Sequence, residues 1–135
     1  LSGQLAKTAR ATEVWVVASP SAEAARATLL GAEGVHVVRS ATSHGQLQLD
    51  AVLREFSRQG VTRLMVEGGA RVAASLVTAG LVDEVWLLRG PKTIGPGGIP
   101  ALHGLPLAAI TAASDFRLRA QEMLGDDSLT IYDRA

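Results

Sequence analysis

The stretch with most chemical potential is Glu67-Gly68-Gly69-Ala70, two adjacent glycines preceded by a carboxylate and followed by a helix-forming run. A helix start offers backbone N–H groups without intrahelical acceptors and the positive end of the helix dipole, and anions bind there. Glycine at two successive positions removes the Cβ atoms that would keep a pyrophosphate away from the main chain. Phosphate recognition by Gly68, Gly69 and Ala70 is therefore one reading. A tight strand-to-helix turn is the other, because the full dinucleotide fingerprint is absent. Glu67 either faces a ligand at the carboxyl edge of a parallel sheet or caps the following helix by accepting N–H bonds.

Ser19-Pro20-Ser21 repeats the device at another strand end. Its hydroxyls and amides could hold a phosphate such as a cofactor 2′-phosphate, or Ser19 could simply cap a helix that has Pro20 at its first position. The segment Gly90-Pro91-Lys92-Thr93-Ile94-Gly95-Pro96-Gly97-Gly98 reads as a loop with one fixed charge, Lys92. Its glycines let backbone approach a ligand, or they serve only the connection.

Other chemistries find little support. His36, His44 and His103 lack metal-ligand spacing, so no metal site is expected. No Gly-x-Ser-x-Gly elbow or Ser-His-Asp arrangement suggests a hydrolase. The adjacent pairs Asp83-Glu84 and Asp126-Asp127 read as structural, since strand neighbours point to opposite faces and turns favour aspartate. Thirteen basic and thirteen acidic residues cancel, which argues against nucleic acid as a partner. The apolar runs are too short to cross a bilayer. The absence of cysteine suits a reducing cytoplasm.

The elements that would position these residues follow from periodicity. Glu13–Ala18 and Val35–Arg39 are β-branched runs that predict strands. A helix from Ser19-Pro20 to Gly31 separates them. Leu49, Val52, Leu53 and Phe56 mark the inner side of a helix over 47–58, with Gly60 at its C-terminal end. Arg63-Leu64-Met65-Val66 predicts a strand covered on both faces, and 70–79 a helix with Val72, Ala73, Leu76 and Val77 inward. A strand over Glu84–Leu88 and a tail hairpin through Gly125-Asp126-Asp127 complete the pattern. Strands alternating with helices imply an α/β fold of three layers, with a mainly parallel sheet and a C-terminal antiparallel hairpin. A length of 135 residues is expected to form one domain over 1–135.

Three motifs in series, Leu64-Met65-Val66-Glu67-Gly68-Gly69, Leu81-Val82-Asp83-Glu84 and Pro91-Lys92-Thr93-Ile94-Gly95, resemble those of the RibD carboxy-terminal family. This is the reductase domain of bacterial riboflavin-biosynthesis deaminase/reductases. The tail hairpin extends the resemblance over nearly the whole chain. The resemblance implies a dihydrofolate-reductase-like fold, a homodimer in the cytoplasm, and NADPH-dependent reduction of a ribosylaminopyrimidine phosphate, 5-amino-6-(5-phosphoribosylamino)uracil, from ribose to ribitol. It further implies that Gly68 and Gly69 contact cofactor phosphates, that Ala70 and Gly95 also belong to the cofactor-binding residues, that Ser19 lies near the 2′-phosphate, and that Glu67 is the catalytic, substrate-facing residue.

The family pattern also includes an amino-terminal half with a Lys-x-x-x-Ser-x-Asp-Gly-like segment and an Asp-Ala-x-x-x-Gly strand, neither of which occurs here. The chain, whose first residue is Leu1, is therefore expected to be the C-terminal part of such a domain. It is expected to be weak or inactive alone, since substrate positioning supplies several kcal/mol of barrier reduction. Two further readings are a dihydrofolate-reductase-like enzyme acting on another pterin or pyrimidine, and a non-catalytic nucleotide-binding or oligomerising module.

Overall fold

A computed structural model describes residues 3–135; Leu1 and Ser2 lie outside the described residues. Chain contacts gather into two compact units, 1–63 and 64–135.

In the first unit a short helix α1 (Gln4–Thr8) leads to strand β1 (Trp15–Ala18), helix α2 (Ala24–Ala32) and strand β2 (His36–Arg39). The β1–α2–β2 crossover produces the expected parallel pair, with Trp15 opposite His36 and Ala18 opposite Arg39. Alternation along the strands divides their side chains between two faces. Val16, Ala18, Val37 and Arg39 border a groove shared with Ala27 and Leu30 of α2. Trp15 stacks on His36 at 5.6 Å and meets the edge of Phe56 at 5.7 Å. Phe56 belongs to helix α3 (Leu49–Arg58), whose apolar positions recur at the expected spacing. Gly60, at φ 91°, ends that helix, and Val61 N–H returns to the Phe56 carbonyl. Between β2 and α3 lies a minimal hairpin, β3 (Thr42–Ser43) with β4 (Gln46–Leu47). Its turn residues His44 and Gly45 both have positive φ, the requirement of a two-residue type I′ turn.

In the second unit helix α4 (Ala70–Thr78) packs Ala74 against Leu102 and Ile110, the latter on the one-turn helix α5 (Ala108–Thr111). Ala73 and Val77 of α4 and Val85, Phe116 and Tyr132 of the sheet close around this core. The sheet has the order β5 (Glu84–Arg89), β7 (Asp127–Arg134), β6 (Phe116–Leu124), antiparallel throughout. The tail hairpin forms as the sequence predicts. Gly125, at φ 65°, takes the first position of its two-residue turn, Gly125-Asp126.

Four expectations need correction. The run 63–66 forms no strand, and Leu64, Met65 and Val66 are 47%, 79% and 43% exposed. Its apolar composition gives it strand propensity, but a strand also needs a ladder, and among the described residues Leu64-Met65-Val66 belongs to none. Among the described residues the strands form three separate small sheets rather than one mainly parallel sheet, and β1–β2 is the one parallel ladder. The first long helix begins at Ala24 rather than at Pro20, because Ala22 N–H bonds the Ser19 carbonyl in a turn and Glu23, at ψ 121°, is extended. On α4 the inward side includes Ala74, whereas Val72 is exposed. The chain is thus a mixed helix and strand fold whose finer sheet arrangement departs from the sequence expectation.

Candidate functional site

The turn before α4 has the local properties expected of an anion site. Gly69 is the helix N-cap at φ 81° and ψ 113°, a conformation that disfavours a side chain. Ala73 N–H donates to the Gly69 carbonyl at 3.1 Å, so the amides of Ala70, Arg71 and Val72 precede the first amide with an intrahelical acceptor. No side chain caps this end. Glu67 therefore does not fill the capping role; it is exposed, and it no longer ends a buried strand. The carbonyl of Ala70 receives His103 N–H at 3.1 Å, which ties the loop carrying buried Leu102 to the start of α4.

Gly68 and Gly69 differ in what they require. Gly69 needs glycine for its backbone angle. Gly68 is outside the left-handed region, and a Cβ built there meets nothing within 4 Å. Neither conformation nor packing within the chain accounts for glycine at 68.

The loop after β5 is exposed and organised by one turn, with Gly98 N–H bonding the Gly95 carbonyl at 3.0 Å. Gly95 has φ 83°. A Cβ at Gly98 would lie 3.2 Å from the Gly95 carbonyl oxygen, so Gly98 is needed for the turn itself.

Ser19 belongs to the first unit, at the carboxyl end of β1. Its hydroxyl lies 3.1 Å from that of Ser21. Arg39, the last residue of β2, donates from Nη1 to the Ser19 carbonyl at 2.7 Å. A hydroxyl pair and a guanidinium bonded to the Ser19 carbonyl thus stand at the carboxyl edge of the parallel pair, and the exposed guanidinium keeps donors for an oxyanion. Arg39 was not singled out from the sequence, although a cation ending a strand in a β–α–β unit is a readable signal. The sequence-predicted residues accordingly fall into separate groups. Ser19 is on the first unit, and Glu67, Gly68, Gly69, Ala70 and Gly95 are on the second.

The acidic pairs take structural places. Glu84 accepts from Trp86 Nε1 at 2.6 Å and pairs with Arg119 at 2.7 Å, while Asp126 and Asp127 shape the hairpin turn. Among the described residues no group of His, Asp and Glu could hold a metal ion, and no helix is long and apolar enough to cross a membrane.

The RibD C-terminal domain family matches residues 3–128. A 2,5-diamino-6-ribosylamino-4(3H)-pyrimidinone 5′-phosphate reductase of Archaeoglobus fulgidus is 42% identical over 57 residues, covering 42% of this chain and 26% of that protein. The riboflavin biosynthesis protein RibD of Chlamydia trachomatis is 32% identical over 100 residues, covering 74% of this chain and 26% of that protein. The chain thus spans about a quarter of the length of these curated relatives. A solved pyrimidine reductase-like protein from Corynebacterium diphtheriae superposes with a TM-score of 0.71 at 18% identity, over 90% of this chain and 50% of the other. With the family match running from residue 3 to 128 and the backbone following that of a pyrimidine reductase-like protein, the chain belongs to the RibD C-terminal domain family.

Proposed function

We propose that this chain is the cofactor-binding portion of an NADPH-dependent reductase of riboflavin biosynthesis. Its substrate would be 5-amino-6-(5-phosphoribosylamino)uracil, whose ribose becomes ribitol. The observation that carries the reading is Gly68: among the described residues nothing in conformation or packing requires glycine there, yet it stands beside a helix start that no side chain caps. Close approach of a ligand's phosphate explains that choice. The family match and the names of the relatives supply the reaction class.

Each unit, taken by itself, offers donors suited to part of the cofactor. Amides at Gly68, Gly69 and Ala70, with the backbone at Gly95, suit pyrophosphate oxygens, which are acceptors only. The Ser19 and Ser21 hydroxyls and the Arg39 guanidinium suit a 2′-phosphate, the group that distinguishes NADPH from NADH. When bound, NADPH would supply the hydride to the carbonyl carbon of the open-chain sugar, and a proton taken up from solvent at the carbonyl oxygen would complete the alcohol. The part played by this chain is binding and orientation. Glu67, an exposed carboxylate directly before the glycines, accepts a hydrogen bond from a substrate hydroxyl and so fixes the acceptor carbon relative to the cofactor. The working protein is proposed to be a cytoplasmic homodimer, on the family resemblance.

The test is titration of the chain with NADPH and NADH, followed by turnover assays on a complete reductase domain that carries these residues. Binding that favours NADPH, together with reduction of the ribosylaminopyrimidine phosphate rather than dihydrofolate, is the expected result. Failure of the chain to bind either nucleotide would favour the non-catalytic module instead.

A further inference from the structure

Arg39 of β2 and Arg26 of α2 border the same groove between the helix and the parallel pair. The chain path brings the two cations to one end of it. β1 finishes at Ala18, and α2 begins at Ala24 and must run back along the strands for β2 to start parallel to β1, so the first turn of α2 stands at the carboxyl edge of the pair. Arg26 is the third residue of α2, and helical side chains lean toward the helix N-terminus. Its guanidinium does so: Nε lies 3.0 Å from Oε2 of Glu23, the N-cap residue, which borders the groove as well. Arg26 is thereby held toward the edge that carries Ser19, Ser21 and Arg39.

The hold is weak. The side chains of Arg26 and Glu23 are 81% and 62% exposed, and an ion pair so open to water contributes little. The Glu23 carboxylate makes no capping bond to α2, so releasing Arg26 breaks nothing in the helix start. A phosphate dianion carries more charge than a carboxylate and takes a guanidinium in two parallel bonds, which makes it the stronger partner.

We propose that Arg26 is a second specificity-determining residue for the 2′-phosphate of the cofactor, and that Glu23 is the counter-ion it exchanges for that phosphate. The proposal rests on the reading of Ser19 and Arg39 as the 2′-phosphate end of an NADPH site. In the free protein Glu23 neutralises Arg26. On binding, the guanidinium moves from the carboxylate to the phosphate, across from Arg39, and Glu23 is left to water. The carboxylate opposes NADPH twice, by competing for Arg26 and by placing a negative charge near a dianion. NADH carries a hydroxyl at that position and meets neither the attraction nor the repulsion. Preference for NADPH is thus set by two cations and moderated by one anion.

The probes are NADPH, NADH and the fragment adenosine 2′,5′-bisphosphate, titrated into this chain by calorimetry at low salt. Glu23→Gln should tighten NADPH and the bisphosphate about three- to tenfold and leave NADH within about twofold. Arg26→Ala should weaken NADPH and the bisphosphate about tenfold, again with little change for NADH. With Arg26→Ala already in place, Glu23→Gln should gain less, because only the repulsion remains to be relieved. A tightened complex is an outcome that a merely structural role for the pair would not produce. Glu23→Gln that binds NADPH no more tightly, Arg26→Ala that weakens NADPH and NADH alike, or full additivity of the two changes overturns the proposal while leaving the 2′-phosphate reading intact. A parent chain without preference for NADPH, or one whose preference survives Arg39→Ala, removes that reading and this proposal with it.

Discussion

The Arg39 guanidinium reaches back across the parallel pair to the Ser19 carbonyl, 2.7 Å from Nη1, so the carboxyl ends of β1 and β2 are joined by an exposed cation. If this cation recognises a 2′-phosphate, Arg39→Ala removes charge-assisted bonds of roughly 1.5–3 kcal/mol. NADPH affinity should then fall about 10- to 100-fold while NADH affinity changes little, because a 1.4 kcal/mol loss is tenfold. Trp15 on β1 gives a fluorescence signal for the titration, and calorimetry gives an independent one. Equal loss for both nucleotides would place the role of Arg39 in the local fold.

Gly68 and Gly69 separate ligand binding from backbone strain. Gly69→Ala forces a side chain to φ 81° and should cost stability by about 1–2 kcal/mol. Gly68→Ala meets no neighbour and no left-handed angle, so its stability should stay within about 0.5 kcal/mol of the parent. Nucleotide affinity should nevertheless fall on the order of tenfold for Gly68→Ala, equivalent to 1.4 kcal/mol. Unchanged affinity in that variant would remove the observation on which the proposed function rests.

What the sequence makes legible here is local. The periodicity of Leu49, Val52 and Phe56, the stop at Gly60 and the hairpin through Gly125-Asp126 are consequences of neighbours a few residues apart, and the structure bears them out. Strand pairing is not local. Leu64-Met65-Val66 has strand composition, but a ladder requires a second chain segment that composition cannot name, and the segment remains exposed. Leu102 and Ile110 form the second unit's core with Ala74, although a Gly- and Pro-rich stretch precedes them and α5 is one turn long, too short to show a period. For the site, the glycine turn was visible as a motif, whereas Arg39 needed the β1–β2 register to set it beside Ser19.

Acid should act on α3 at Glu55. Hydrogen bonds from Gln59, 3.0 Å from Oε1, and from Arg58, 2.7 Å from Oε2, hold its carboxyl below the usual glutamate range. A carboxylate depressed in the folded state contributes stability above its unfolded pKa, and that contribution is lost as pH falls through the folded one. NMR titration of Glu55 should give a midpoint below that of free glutamate. Gln59→Ala should raise the midpoint more than Arg58→Ala, because the Gln59 bond is the larger influence. A midpoint unmoved by Gln59→Ala would show that this bond is not held in solution.

The second unit should depend on Ile110 far more than its position in a four-residue helix suggests. Ile110 is 4% exposed and packs with Ala74 and Leu102, with sheet residues Val85, Phe116 and Tyr132 closing around them. Truncation to alanine leaves a cavity between α4 and the sheet and should cost roughly 2–4 kcal/mol. Ile94, 85% exposed in the glycine loop, is the matched control, and Ile94→Ala should change stability by less than about 0.5 kcal/mol. Urea denaturation followed by Trp86 in a Trp15→Phe background reads the sheet of this unit directly, since Trp86 lies on β5. An Ile110→Ala midpoint equal to that of Ile94→Ala would mean that α5 does not hold the sheet against α4. The loop from 99 to 107 would then have no packed end to fix His103 against the Ala70 carbonyl, and the start of α4, with its free amides, would lose that brace.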